Sequence, residues 1–283
     1  MKRILTIVLV CIMVFSMAAC GNQGNENGGT ISVISREDGS GTRGAFVELM
    51  GIMVEDVDQT TVNAEISQST SVVMTTIAGN KQAIGYVSLG SLDESVKAIK
   101  VDGIEASSDT IKAGDYAVSR PFLVTTGKAV SPLTEDFVEY ILSAEGQSIV
   151  EEEGYITVSE AAANYEVKSG LSGKIVVAGS TSVAPVMQIL ADSYKAMYED
   201  VTIEIQQTGS GAGITSTIEG ACDLGMSSRE LKAEEEAQGI TGTNIALDGI
   251  AVVVNLENPV EDLTSEQIRQ IFTGEVTGWA EVQ

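Results

Sequence analysis

The stretch KIVVAGSTS at residues 174–182 carries the pattern that decides the fold of this chain. Its first five residues are rich in valine and isoleucine, which favours a strand. Gly179 and three hydroxyl side chains follow, and from Pro185 onward apolar side chains recur at helical intervals as far as residue 194. The stretch therefore predicts a strand, a Gly/Ser turn and a helix in direct succession.

The same order is found at two other places in the chain. ISVIS at residues 31–35 runs into REDGSGT at residues 36–42 and then into a segment with helical spacing. Residues 201–206 alternate apolar and polar side chains, as a half-buried strand does, and GSGAG at residues 209–213 leads into a short helical segment. The repetition indicates that the turns share a role.

A glycine-rich turn at the start of a helix is suited to binding an anion. It lets the backbone approach a ligand and directs unpaired N–H groups at it, while the helix dipole favours negative charge. Hydroxyl groups at such turns also act as ordinary helix caps, which accounts for any single copy. Three copies, with Arg36 entering one of them, favour convergent donors for a tetrahedral oxyanion. DLGMSSR at residues 223–229 offers two further hydroxyls and a cation, although a capped turn would look the same.

Composition excludes several function classes. The formal net charge of −24 argues against a nucleic-acid partner. The chain has no histidine, which excludes a Ser-His-Asp triad, a Cys-His pair and the usual zinc sites. A hydrolase using Ser40 or Ser182 as its nucleophile would lack a base. We therefore expect no enzyme activity, no catalytic residue, no cofactor and no metal.

The N-terminal residues resemble a secretory signal with a lipobox. Lys2 and Arg3 precede an apolar run at residues 4–17, which is shorter than the roughly 20 residues that a membrane span needs. Residues 1–19 are predicted to be a signal peptide, and 20–30 a lipidated Cys20 with a flexible Gly/Asn-rich tether. The alternative is an uncleaved anchor helix. Either version predicts an extracytoplasmic domain, and the first predicts one anchored by lipid to the outer face of the cell membrane.

Six motifs together resemble the phosphate-binding lipoproteins of ABC importers, which have the type 2 periplasmic-binding-protein fold. They are SREDGSGTR at 35–43, GSTSVAP at 179–185, GSG at 209–211, DLGMSSR at 223–229, DGIAVVVN at 248–255 and IFTGE at 271–275. The resemblance covers residues 31–283 and implies an α/β fold of two domains with a ligand cleft between them.

The order of these motifs differs from that of the family, in which the GSTS half comes first. The sequence therefore resembles a circular permutation, with polar residues 157–173 as a flexible join. A fragment of a tandem duplication or an artefact of gene assembly would give the same order. The implied domains are residues 31–116 plus 256–283, carrying SREDGSGT, and residues 117–255, carrying GSTS, GSG and SSR.

The resemblance also implies a set of phosphate-binding residues. These are Arg36, Asp38, Ser40, Gly41, Thr42, Thr181, Ser182, Ser210, Ser227 and Ser228. Among them, Asp38 matches the family carboxylate that orients the arginine. Ser228 stands where some relatives have an aspartate that accepts the proton of hydrogen phosphate, which leaves selectivity against sulfate open.

The function implied by the resemblance is capture of inorganic phosphate and its delivery to the permease of an ABC importer. Two alternatives keep the fold: a binding protein for another oxyanion such as sulfate or molybdate, and a phosphate sensor that transports nothing. We expect a monomer, because closing a loop costs little free energy whereas a swapped dimer must also overcome association entropy.

Overall fold

The computed structural model describes residues 29–159 and 162–282, so the expected signal peptide, Cys20 and tether residues 20–28 lie outside the described part. The strands are β1 Ser32–Arg36, β2 Met53–Val54, β3 Val57–Asp58, β4 Glu65–Ser67, β5 Ala83–Ser88, β6 Lys97–Ala98, β7 Lys100–Val101, β8 Ser119–Thr126, β9 Gly173–Gly179, β10 Val201–Gln207, β11 Leu224–Ser227, β12 Thr241–Val254 and β13 Asp262–Leu263. The helices are α1 Gly41–Leu49, α2 Thr70–Ala78, α3 Ser108–Lys112, α4 Pro132–Leu142, α5 Ala144–Glu152, α6 Ala184–Lys195, α7 Ser210–Glu219, α8 Ala233–Glu236 and α9 Ser265–Thr273.

The main sheet of the described chain has the strand order β10-β9-β11-β8-β12-β5-β1-β4, with β6 added to β12. The pairs β10–β9, β9–β11, β5–β1 and β1–β4 are parallel, whereas β8 and β12 run antiparallel to their neighbours. Parallel strands place the turns that follow them at one edge of a sheet, so the turns after β1 and β4 lie together, as do those after β9 and β11.

Two separate hydrophobic cores divide the molecule into two lobes. Lobe I packs around β1, β5, α1, α2 and α9, with Phe46, Tyr86 and Phe272 in ring contact at its centre. Lobe II packs around β9, β11, α4 and α6. This is the two-domain α/β architecture expected from the sequence, with each predicted strand–turn–helix unit present.

Strands β8 and β12 cross from one lobe to the other. Side chains at 250–254 of β12 lie in the core of lobe I, whereas Ile245 and Ala246 lie in the core of lobe II. The sequence-based division assigned 250–255 to the second domain. A 14-residue strand is long enough to serve both cores, so the change of lobe falls in the middle of β12.

The expected join between the halves is fastened to lobe II. We call residues 162–172 the strap. The amide of Ala144 donates to the Ala163 carbonyl at 2.8 Å, and the Tyr165 amide donates to Glu145 at 2.7 Å. Tyr165 and Leu171 pack against the core of lobe II. The join was expected to be a flexible linker, but an aromatic and an aliphatic side chain within its polar sequence hold it on the surface.

The start of the described chain is paired with its end. Thr30 forms a bridge with Gly278, the Ile31 amide donates to the Thr277 carbonyl at 2.8 Å, and the Trp279 amide donates to Gly29 at 3.1 Å. The last two residues of the expected tether, Gly29 and Thr30, are thus paired with the end of the chain. Among the helices in the two described ranges, none combines the length and the apolar character of a membrane span.

Candidate functional site

Five segments at the facing edges of the two lobes form the candidate site. Lobe I contributes the turns that lead into α1 and α2, and lobe II contributes the turn after β9, the start of α7 and the turn after β11. Gly209, with φ of +88°, precedes α7 in a conformation that favours glycine. The amide of Gly211 in lobe II donates to the carbonyl of Gly39 in lobe I at 2.9 Å, so the lobes touch directly here.

Arg36 is the cation of this site, at the end of β1. Its side chain is 2% exposed and forms a two-pronged ion pair with Glu37, with both N–O distances 2.8 Å. The same guanidinium donates to Thr70 Oγ1 at 3.3 Å and, across the lobe boundary, to Thr181 Oγ1 at 3.0 Å. A planar guanidinium held in this way presents its N–H groups in a fixed direction.

Hydroxyl groups of the two lobes meet beside Arg36. Thr42 Oγ1 lies 2.9 Å from Ser182 Oγ, and Thr70 Oγ1 lies 3.2 Å from the same atom. Thr70 and Thr181 are 3.4 Å apart. Thr42 at the start of α1 and Ser182 in the turn after β9 are thus in contact, although 140 positions separate them in the sequence.

A second group of hydroxyls lies within lobe II and faces Gly41. Ser180 Oγ donates to Ser228 Oγ at 3.0 Å, and Ser210 Oγ lies 3.2 Å from that oxygen. A Cβ at position 41 would lie 2.6 Å from Ser210 Oγ and 2.7 Å from Ser228 Oγ, so only glycine allows this approach. We call the seven hydroxyl residues of the two groups the hydroxyl cluster: Thr42, Thr70, Ser180, Thr181, Ser182, Ser210 and Ser228.

Two hydroxyls at these turns accept hydrogen bonds from backbone amides. Ser40, a predicted phosphate-binding residue, caps α1 by accepting from the Arg43 amide at 3.3 Å. Ser180 accepts from the amides of Ser182 and Val183 within the turn that precedes α6. Thr42 and Ser210, in contrast, lie within the first turns of α1 and α7 and direct their hydroxyls into the cluster.

Two predicted residues lie elsewhere. Asp38 was expected to orient Arg36, but its side chain is 99% exposed and pairs with Arg43 at 3.0 Å. Glu37 holds Arg36 instead, because Asp38 already lies in the turn that follows β1. The hydroxyl of Ser227 donates to the Arg229 carbonyl at 2.8 Å, within its own turn, and is not part of the hydroxyl cluster.

Sequence reasoning missed the contribution of β4 and α2. Thr70 begins α2, and Ser67, opposite Arg36 in the register of β1 and β4, has a buried hydroxyl with no hydrogen-bond partner in the described residues. The stretch SQSTS at residues 67–71 does follow the strand–turn–helix pattern. It was overlooked because it lacks glycine, and Ser180 and Glu37 were quoted within motifs without being assigned a role.

A buried ion pair supports the cluster from the crossing strands. Arg120 of β8 donates to Asp248 of β12 at 3.1 Å and to the Ser228 carbonyl at 3.2 Å, while Ser88 donates to Asp248 at 2.9 Å. Burial raises the pKa of the Asp248 carboxyl to about 6, although the Arg120 guanidinium opposes that shift. The pair ties both strands to the loop that carries Ser228.

The arrangement is suited to an oxyanion and offers no platform for a metal ion. First-turn N–H groups of helices lack intrahelical partners, and together with hydroxyls and a guanidinium they surround one point with donors. Within the described ranges, no three His, Cys, Asp or Glu side chains are grouped as metal ligands would be. Donors from both lobes in this arrangement suit a small anion with several acceptor oxygens.

Comparison with known proteins agrees with this chemistry. A family model described as a PBP superfamily domain matches residues 22–145 and 159–283. The phosphate-binding protein PstS 2 of Streptococcus agalactiae is 48% identical over 273 residues, which cover 94% of this chain and 92% of that protein. A crystal structure of a phosphate-binding protein of a phosphate ABC transporter from Streptococcus pneumoniae is 45% identical and covers 90% of this chain and 100% of its own, with a TM-score of 0.72.

The extent of the matches differs between relatives. PstS of Pseudomonas aeruginosa is 35% identical over 123 residues, which cover 41% of this chain and 38% of that protein. The S. agalactiae protein, in contrast, aligns in one continuous order with nearly the whole chain. On the strength of the family model and the near full-length relatives, this chain belongs to the PBP superfamily and, within it, to the family of the PstS phosphate-binding proteins.

Proposed function

We propose that this protein captures inorganic phosphate between its two lobes and delivers it to an ABC importer. The observation that carries the proposal is the meeting of Arg36 with hydroxyls of both lobes at one point, notably Thr42 with Ser182 and Arg36 with Thr181. The names of the full-length relatives support phosphate as the ligand.

The binding residues follow from the contacts of the cluster. Arg36 would bind two phosphate oxygens, and the hydroxyls that now contact one another would turn to the remaining oxygens. The proposed set is Arg36, Ser40, Gly41, Thr42, Thr181, Ser182, Ser210 and Ser228 from the sequence, with Thr70 and Ser180 added from the structure. Neutral donors fit this task because they stabilise an anion without needing a counter-charge of their own.

Closure of the lobes follows from the same geometry. A ligand shifts a conformational equilibrium only by its difference in affinity for the two states. Phosphate that touches both Arg36 and Ser182 gains all its contacts only when the lobes are together. The closed form would then be the one that the permease recognises.

The order of the halves is proposed to be a circular permutation of the order in other members of the family. If the halves are exchanged, one continuous alignment can match only one of them, which explains why the P. aeruginosa protein aligns over 41% of the chain. A natural relative with the same order over nearly its whole length counts against an artefact of gene assembly. The proposed domains are the two lobes, divided on β8 near residues 119–121 and on β12 near 247–249.

Location and partners extend the same proposal. The N-terminal signal and Cys20 support a lipid-anchored protein on the outer face of the cell membrane, with the permease as its protein partner. Metabolic labelling with a fatty acid, compared between the natural chain and Cys20→Ala, tests the anchor. Label retained by the alanine variant would refute it.

Calorimetric titration of the domain from Gly21 with phosphate, sulfate and molybdate tests the ligand. We expect phosphate to bind and sulfate to bind far more weakly. Equal affinity for phosphate and sulfate, or preference for molybdate, would replace phosphate capture by general or different oxyanion binding.

The protein is proposed to be a monomer. Tyr155, two residues before the join, and Ile175, two residues after it, lie in the core of lobe II, and the strap binds Glu145 of the same lobe, whereas Ile156 packs in lobe I. Swapping at the join would therefore have to open that core. Light scattering on the ligand-bound domain should give a monomeric mass, and a dimeric mass that persists on dilution would contradict the proposal.

A further inference from the structure

The hydroxyl cluster has donors in excess. Backbone N–H and guanidinium groups only donate, and serine and threonine hydroxyls can always donate. Sulfate at neutral pH has acceptor oxygens only, so these groups suit it as well as they suit phosphate. Hydrogen phosphate also carries an O–H group, which needs an acceptor. Discrimination between the two anions therefore favours a group that accepts and cannot donate. A carboxylate does this and, unlike a backbone carbonyl, also repels a fully ionised anion by its charge.

Ser228 is poorly placed for this task. Its oxygen already accepts the hydroxyl proton of Ser180 at 3.0 Å, and its amide donates to Ser210 Oγ at 3.2 Å. Either hydroxyl can be the donor in the contact between Ser228 Oγ and Ser210 Oγ at 3.2 Å, so Ser228 is free to turn its proton to a ligand oxygen. Ser228 thus adds one more donor, which sulfate would accept.

Glu37 is the carboxylate that borders the cluster. Arg36 Nη2 donates to Glu37 Oε1 at 2.8 Å and to Thr181 Oγ1 at 3.0 Å. The Glu37 carboxylate and the hydroxyl cluster are therefore bound to the same nitrogen atom. Glu37 also faces lobe II, because a Cβ at position 209 would lie 3.4 Å from Oε1. Each carboxylate oxygen can accept about two hydrogen bonds, so each retains a site beyond its bond to Arg36.

Asp248, another buried carboxylate nearby, is directed away from the cluster. One of its oxygens accepts from Ser88 and the other from Arg120, and the Ser228 loop lies between Arg120 and the hydroxyls. Asp38 is exposed and paired with Arg43. Of Glu37, Asp38 and Asp248, only Glu37 is bound to a nitrogen atom that also donates to a hydroxyl of the cluster.

We propose that Glu37 is the specificity-determining residue of this site: its carboxylate accepts the O–H of hydrogen phosphate and repels oxyanions that carry no proton. The inference rests on the proposed function and names the group that selects the ligand. Glu37 would then combine two tasks, since the same two oxygens also hold Arg36 in place.

Calorimetry of Glu37→Gln with phosphate and with sulfate, near pH 8 where phosphate is mainly the dianion, separates these two tasks. Glutamine is neutral and keeps a single acceptor oxygen, for which the Arg36 guanidinium and the ligand O–H group then compete. We expect phosphate affinity to fall about tenfold or more, and sulfate affinity to stay the same or rise because the repulsion is gone. If both affinities fall by the same factor, Glu37 only positions Arg36 and the proposal is wrong.

Two variants complete the experiment. Glu48→Gln makes the same charge change on the exposed face of α1 and should leave the ratio of the two affinities unchanged. Glu37→Asp keeps the carboxylate and should retain more of the ratio than glutamine does, even if overall affinity drops; a ratio as low as that of the glutamine variant counts against the proposal. If the natural protein binds no phosphate, the proposed function itself is wrong. If the natural protein prefers phosphate and Glu37→Gln has the same ratio of phosphate affinity to sulfate affinity, only the role of Glu37 is wrong.

Discussion

Two polar clusters of this molecule use the same chemical group for opposite purposes. The hydroxyl cluster between the lobes consists of serine and threonine side chains at 2.9–3.4 Å from one another. Beneath the strap, the hydroxyls of Tyr165, Tyr194 and Tyr198 converge on one oxygen of Asp136, and Lys168 binds its other oxygen at 2.8 Å. We call these five residues the strap cluster.

The difference lies in the charge at the centre. In the hydroxyl cluster each group both donates and accepts, so any contact can be exchanged for a contact to a ligand oxygen. In the strap cluster a fixed carboxylate accepts from three phenols carried by rigid rings, and two of these phenols, Tyr165 and Tyr198, also contact each other. The first arrangement suits a surface that must part and rejoin. The second suits a segment that must stay in place.

Removing the charge at the centre of the strap cluster should have the largest effect. Hydrogen bonds to charged groups contribute about 1.5–3 kcal/mol each, so Asp136→Asn should lower the free energy of unfolding by about 3 kcal/mol. Phosphate affinity should change less than about twofold, because the cluster lies away from the cleft. Urea unfolding measures the first effect and calorimetry the second.

Glu139→Gln is the matched control, because Glu139 also binds Lys168 but is 61% exposed. It should have little effect on stability. If Asp136→Asn unfolds at the same urea concentration as the natural protein, the strap is not fastened by this carboxylate.

Replacing the cation of the hydroxyl cluster should give the reverse pattern. Arg36→Lys removes the fork that reaches two oxygens at once, and phosphate affinity should fall about tenfold or more. Arg269→Lys is the control, because Arg269 lies on α9 and is paired with the exposed Glu266 and Glu275. Natural affinity in Arg36→Lys would remove Arg36 from the binding site.

Acid should affect the strap cluster through Asp136. Burial alone would raise the pKa of Asp136, but hydrogen bonds from Lys168, Tyr165 and Tyr194 lower it below its ordinary value. A carboxyl whose pKa is lower in the folded than in the unfolded state stabilises the fold above the unfolded pKa, and this contribution is lost as pH falls through the folded pKa.

The natural protein should therefore lose more stability than Asp136→Asn between about pH 5 and about pH 2. Urea midpoints of both proteins across this range give the comparison. Parallel curves would mean that the folded and unfolded pKa values of Asp136 are the same.

The smallest effect is expected at Asp38. Its side chain is exposed and bound to Arg43 rather than to Arg36, so Asp38→Asn should change phosphate affinity less than about twofold. Calorimetry alongside Glu37→Gln measures the contrast between two adjacent carboxylates. A loss as large as that of the Glu37 variant would return the orienting role to Asp38.

Local pattern was enough to predict the turns but not which side chains meet. Strand, turn and helix are set by neighbours in sequence, so the units at Arg36, Ser182 and Ser210 were predicted correctly in kind. Whether Glu37 or Asp38 reaches the arginine depends on where β1 ends and in which direction each side chain leaves the backbone. A shift of one residue in the end of β1 decides whether Glu37 or Asp38 binds Arg36, and the sequence alone does not fix that end to within one residue.

Long-range packing was hidden for a second reason. The strap sequence is polar on average, and its fastening depends on Tyr165 meeting Asp136, Tyr194 and Tyr198 from three separate segments. The periodicity of apolar residues along the sequence does not predict contacts between such distant segments. Thr70 was missed similarly, because the turn before α2 contains no glycine, whereas a hydroxyl at the first position of a helix is sufficient here.

The pairing of Gly29, Thr30 and Ile31 with residues 277–279 has a mechanical consequence. A pull on the N-terminal segment is applied to lobe I, where it acts as a shearing load on backbone hydrogen bonds such as Ile31 to Thr277. The load path ends in the core of lobe I and does not cross the cleft. Lobe II can therefore swing without strain from whatever holds the N-terminal segment, and force on that segment neither opens nor closes the hydroxyl cluster.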